Sequence, residues 1–157
     1  MEYAEVRNKI KSGDLLAWAG TCFQCRIVRA FTNSTYSHVG VAWVIGGRVF
    51  VLEAVTSGVR IYPLSRETPF YWQPTGALWN DAAESFALKH VGDKYSRLDA
   101  IKAFLHMPIK NDVWQCAEFA QAVLSLAGVK LNCDATPEEV MKTAARVCDA
   151  GLVLVDS

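Results

Sequence analysis

A chain of 157 residues, 52% apolar and 20% charged, is long enough for one domain with its own core, spanning 1–157, and too short for two. Sixteen Lys and Arg balance sixteen Asp and Glu, and no basic cluster stands out, which sets aside nucleic acid and anionic membrane surfaces as partners. The longest nearly apolar run, Val39 to Gly47, is far too short to span a bilayer, and the opening MEYAEVRNKIKSGD has no apolar signal segment, so the expected setting is the cytoplasm without stable membrane insertion.

The first element is that short, charged, amphipathic N-terminal stretch. DLLAWAG, from Asp14, reads as the first strand. Cys22-x-x-Cys25 follows. A zinc site needs two more ligands at workable spacing, and neither a second CxxC nor an HxxxH is present, so the pair reads as two half-buried thiols at a strand end. The five cysteines, at 22, 25, 116, 133 and 148, are odd in number and irregular in spacing, which fits a reducing compartment and not a disulfide framework. SHVGVAWVI and RVFVLEAV then flank Gly46-Gly47, a two-residue hairpin turn. GVRIYPL and PFYWQP supply two further strands.

Beyond residue 80 the pattern turns helical. Asp81-x-x-Glu84 opens a helix that ends near Gly92, and Ser96-x-x-Asp99 opens a second that stops before Pro108. Asp112-x-x-Gln115 opens a third, closed by Gly128. Thr136-Pro137-Glu138-Glu139 opens a fourth, with Pro at its first position and Glu at its third. A last strand, LVLV, follows Gly151. Strands first and helices later predict an α+β fold, with the helices stacked on one side of an antiparallel sheet.

Chemistry concentrates at three residues. In the third helix Cys116, Phe119, Ala120, Val123, Leu124 and Ala127 recur at helical spacing, so Cys116 belongs to the buried stripe and sits in the first turn. Unpaired N–H groups and the helix dipole favour an anion there, which lowers a thiol pKa. The Gly46-Gly47 turn sets a register in which Ile45 faces Arg48, Ala42 faces Val51, Gly40 faces Glu53 and His38 faces Val55. Glu53 is then the diagonal neighbour of His38 on one sheet face, with Gly40 offering no side chain to block their approach. An unpaired carboxylate on such a face is costly, so Glu53 pairs with His38. Thiolate chemistry needs a low-pKa Cys, a His that takes and returns the proton, and a group that fixes the His tautomer; this sequence offers each. His90 falls at a helix C-terminus and reads as a cap, and His106 reads as a solvated loop residue. Trp18, Trp43, Trp72, Trp79 and Trp114 read as core, with a groove wall as the alternative.

In this order the segments SGDLLAW, YSHVGVAW, FVLEAVTSGVRIYPL, GDKYS and WQCAEFAQAVLSLAG resemble the circularly permuted branch of the NlpC-type papain-fold cysteine hydrolases, YiiX-like proteins above all, with lecithin:retinol acyltransferase-like enzymes as cousins. The likeness runs from about Gly13 to Gly128. It implies a papain-like fold, a small curved antiparallel sheet with the catalytic helix against it. It also implies roles: Cys116 as nucleophile, His38 as general base and then acid, Glu53 as the polar third member, and Tyr95 lining the substrate site. Ala117 stands where many such proteins carry Ser, and QCAEF only half matches the Asn-Cys-Glu-His motif of the acyltransferase cousins. The expected activity is a cofactor-independent thiol hydrolase, cleaving an amide bond in a peptide or amino-acid conjugate. Cell-wall peptides are the superfamily's commonest substrate; reaching the wall would need a route such as phage-mediated release or a virion component, and a cytoplasmic role on amino-acid conjugates is equally open. The alternatives are a lipid thioesterase or acyltransferase, and a binding module that keeps the groove without catalysis.

Overall fold

The computed structural model describes residues 1–20, 34–93 and 115–157. Six antiparallel strands form one sheet in the order β4-β3-β2-β1-β5-β6, namely β1 Leu15–Trp18, β2 His38–Ile45, β3 Arg48–Val55, β4 Gly58–Pro63, β5 Phe70–Gln73 and β6 Val153–Val155. Gly46 and Gly47 take φ of 57° and 72°, the left-handed pair that a tight hairpin turn requires. The β2–β3 register follows from it: Ile45 pairs with Arg48 and Ala42 with Val51. The fold is thus mixed α+β, with the strands where their β-branched and aromatic residues placed them.

The helices are α1 Tyr3–Val6, α2 Asp81–Lys89, α3 Cys116–Leu126 and α4 Pro137–Cys148. Asn80 caps α2 by accepting the Ala83 N–H, and Thr136 caps α4 by accepting the Glu139 N–H, with Pro137 at the first helical position. The second expected helix, 96–107, lies outside the described residues. Phe119, Ala120, Val123 and Leu124 of α3 pack with Val140, Met141 and Ala144 of α4 onto Val39, Val41, Leu52 and Ala54 of the sheet. Burial of each such Leu or Phe contributes about 1.5–3 kcal/mol. The opposite face is covered too. Leu16, Ala42, Val51, Phe70 and Trp72 meet Val6 and Ile10 of the N-terminal segment and Leu64 of a 3-10 turn at Leu64–Arg66. The expectation of helices on one side therefore holds for α2, α3 and α4, and α1 is the exception. It is short, but the strand residues it shields are apolar on both faces. Among the described residues no helix is long and apolar enough to cross a membrane.

The tryptophans fall largely in these cores: Trp43 and Trp72 are buried, Trp79 packs on the helix-side core, and Trp114 lies outside the described residues. Glu84 fastens α2 by accepting the indole N–H of both Trp43 and Trp79, at 2.8 and 3.0 Å.

Asp14, in the SGD segment, braces the other end of the sheet. Its Oδ2 accepts the Lys11 N–H and the Trp72 indole N–H, each at 2.9 Å, and its Oδ1 accepts the Thr75 N–H at 3.2 Å. Asp14→Asn replaces one acceptor oxygen with a donor that faces other donors. Denaturant unfolding should register a loss of about 1–3 kcal/mol, the cost of stranding a buried polar group. Unchanged stability would show that the brace carries no weight.

Candidate active site

Cys116 is the first residue of α3. The helix start read at Asp112 is too early, because Gln115 is extended (φ −100°, ψ 153°) and stands as the N-cap, while Asp112 itself lies outside the described residues. No Gln115 side-chain cap covers the first turn. Its N–H groups have no carbonyl within the helix, and the backbone N–H groups of Val39 and Ala117 help to lower the Cys116 thiol.

His38 opens β2. Its Nε2 lies 2.5 Å from Oε2 of Glu53 in the middle of β3. The imidazole is also hydrogen-bonded to the Cys116 sulfur. With Nε2 committed to Glu53, Nδ1 is the nitrogen available to sulfur. The three residues singled out in the sequence thus form one linked set.

The geometry of that set is unusual in one respect. Side chains alternate along a strand, and Val39, Val41 and Trp43 point to α3, so His38 belongs to the opposite face. There its ring lies against Trp18, with centroids 5.4 Å apart. The sulfur belongs to the helix-side core. They meet because both are terminal: His38 is the first residue of its strand and Cys116 the first of its helix, so the imidazole reaches round the strand end. Gly40 opens the path between His38 and Glu53. A Cβ there would stand 2.5 Å from Val51 Cγ2 and 3.2 Å from Glu53 Cβ.

Burial alone would raise the thiol and lower the imidazole. Their hydrogen bond and mutual charge outweigh it, with Glu53 adding to the pull on His38. The imidazole is pushed from its ordinary 6.5 up to about 10, and the Cys116 thiol is drawn below its ordinary 9.0. For Glu53, burial raises the carboxyl, but His38 and then Arg60 overcome it and hold the group below its usual range. Both directions favour an ionised sulfur beside a protonated imidazole, backed by a carboxylate whose side chain is 2% exposed.

Sequence reasoning missed Arg60. Its Nε and Nη2 lie 2.7 and 2.6 Å from Oε1 of Glu53, and Nη2 lies 2.9 Å from Oε1 of Glu67. The signal was present: Thr56-Ser57 is a two-residue turn, and counting outward from the Val55–Gly58 pair sets Arg60 directly opposite Glu53. His90 is the C-cap of α2, its Nδ1 donating to the Phe86 carbonyl at 2.7 Å, as expected. Tyr95, His106, Cys22 and Cys25 lie outside the described residues. Cys133 and Cys148 are half-buried, distant in sequence from the set, and unbridged.

No family model and no curated protein matches this chain. Among solved structures it is similar to the metalloprotein YiiX from Escherichia coli O157:H7, at 18% identity and a TM-score of 0.62 over 92% of this chain and 88% of that one. At that identity the likeness speaks of fold. Among the described residues of this chain, no group of three or more His, Cys, Asp and Glu side chains is arranged to hold a metal ion.

Proposed function

We propose that this chain is a thiol hydrolase of permuted papain-like, NlpC-type architecture that cleaves an amide bond in a peptide or amino-acid conjugate. One observation carries the reading: the hydrogen-bonded series from the Cys116 sulfur through His38 to Glu53, at the start of a helix. The Cys116 thiolate attacks the carbonyl carbon, forming a C–S bond while the oxygen takes the charge. The Cys116 backbone N–H, in the uncapped first turn, helps to hold that oxyanion. His38 then delivers its proton to the nitrogen as the C–N bond breaks, and the amine leaves. The neutral imidazole next takes a proton from water, whose oxygen attacks the thioester, and the acid departs with the thiolate restored. Glu53 holds the ring's orientation and stabilises the imidazolium without exchanging protons itself.

The test is labelling with a panel of electrophiles at neutral pH, followed by mass mapping of the modified residue. Preferential modification of Cys116, faster than a model thiol, is the expected result. Modification first at Cys22, Cys25, Cys133 or Cys148 would overturn the assignment. An acyl-enzyme formed readily from a fatty-acyl fluorophore and poorly from peptide amides would move the substrate to lipids.

A further inference from the structure

Mechanism uses His38 and Glu53 but leaves three of their neighbours idle, and these close a ring of contacts. Glu53 gives one oxygen to each of two cations, Oε2 to His38 and Oε1 to Arg60. Arg60 also bonds Glu67. The Glu67 backbone carbonyl accepts the Trp18 indole N–H at 2.6 Å, and the Trp18 ring lies on His38. Among the described residues, the groups that face Glu53 and His38 are Trp18 from β1, Arg60 from β4, Glu67 beyond the 3-10 turn, and Cys116 from α3.

Charge decides what this ring does. A carboxylate as buried as Glu53, with His38 as its sole cation, would hold the imidazolium proton strongly, and a tightly held proton is a poor one to hand to a leaving amine. Arg60 draws off part of that attraction. Its own charge is in turn divided, since Glu67 shares it, and its side chain is 36% exposed. We infer that Arg60 is a positioning residue: it fixes the Glu53 carboxylate and thereby sets how firmly His38 keeps its proton, with Glu67 regulating how much of Arg60's charge reaches Glu53. The inference rests on the function proposed above and assigns that site a tuning element.

The two arms of this device predict opposite signs, which a purely structural ion pair would not give. Arg60→Gln leaves Glu53 uncompensated. Losing a cation makes both deprotonations harder, so the pH at which Cys116 becomes reactive and the pH at which His38 loses its proton both rise. Glu67→Gln lends all of Arg60's charge to Glu53 and moves both the other way. Each shift should be about one pH unit, as expected for one partly screened charge acting over several ångströms. Arg60→Lys, which keeps the charge, should stay near the wild-type profile.

The measurement is the pH dependence of Cys116 alkylation by iodoacetamide, together with imidazole NMR, which is tractable in a chain with three histidines. Opposed shifts in Arg60→Gln and Glu67→Gln support the inference. Should Arg60→Gln fail to fold, Glu67→Gln decides alone, since it leaves Arg60 in place. Variants that coincide with wild type, or that move together, overturn the tuning role while a reactive wild-type Cys116 leaves the hydrolase reading standing. A wild-type Cys116 with the reactivity of a model thiol overturns both.

Discussion

Cys116→Ser is expected to lower kcat/KM on an amide substrate by about 10⁴-fold or more, and His38→Gln by a similar factor. A serine hydroxyl keeps the shape but not the chemistry. Its proton is far more tightly bound than that of a thiol, and the buried position in the helix-side core stabilises no alkoxide. Losing His38 removes the cation that keeps the sulfur ionised and the acid that protonates the leaving amine, so the two single variants and the double variant should be about equally inactive. Glu53→Gln is expected to cost less, about 10²–10³-fold, because the amide still accepts one hydrogen bond and still orients the ring. It should also lower the pH at which His38 loses its proton, since a carboxylate partner is gone. Substrate turnover by Cys116→Ser at a rate near wild type would remove the nucleophile from the scheme. Loss in Cys116→Ser with full retention in His38→Gln would leave the sulfur without its base.

The parts of this arrangement were unequally legible in the sequence. The hairpin was plain, because two adjacent glycines between β-branched runs admit few alternatives, and the His38–Glu53 diagonal followed from its register. Placing Cys116 at a helix start was legible too, although the start itself was set too early by the acidic residue at 112. The meeting of sulfur and imidazole was not. Strand alternation sends His38 to one face and packs α3 on the other, and only the three-dimensional coincidence of two element ends brings them together. Arg60 was readable from the second hairpin by the same counting that gave Glu53, but a lone Arg in an alternating strand carries no mark of a buried partner until both hairpins are laid side by side. Asp14 shows the converse. It belongs to a segment that carried the resemblance, yet its oxygens are taken up by a structural brace at the sheet end, away from the sulfur.

The linked pair also predicts how stability depends on pH. A raised imidazole contributes stability that is complete below 6.5 and is lost as pH climbs toward about 10. A lowered thiol contributes stability that is complete above 9.0 and is lost as pH falls through its folded value. Across the neutral range the two slopes are opposite and cancel. In the ion-pair state the folded chain carries one proton on His38 and none on Cys116, the unfolded chain carries one on Cys116 and none on His38, and equal proton counts mean no pH dependence. Above 9.0 the unfolded chain sheds its proton while the folded one keeps it, so stability should fall by up to about 1.4 kcal/mol per pH unit until His38 titrates. On the acid side the stability contributed by the ionised thiol should be lost as pH falls through its folded value. Denaturant unfolding of wild type, referenced to Cys116→Ala/His38→Gln so that the remaining groups cancel, should therefore be flat through the neutral range and decline above pH 9.0. In Cys116→Ala alone the imidazole keeps Glu53 but loses its compensating thiol, and the plateau should become a descent beginning near 6.5. A wild-type curve that slopes through the neutral range would mean that the proton still resides on sulfur, and the ion pair would be absent.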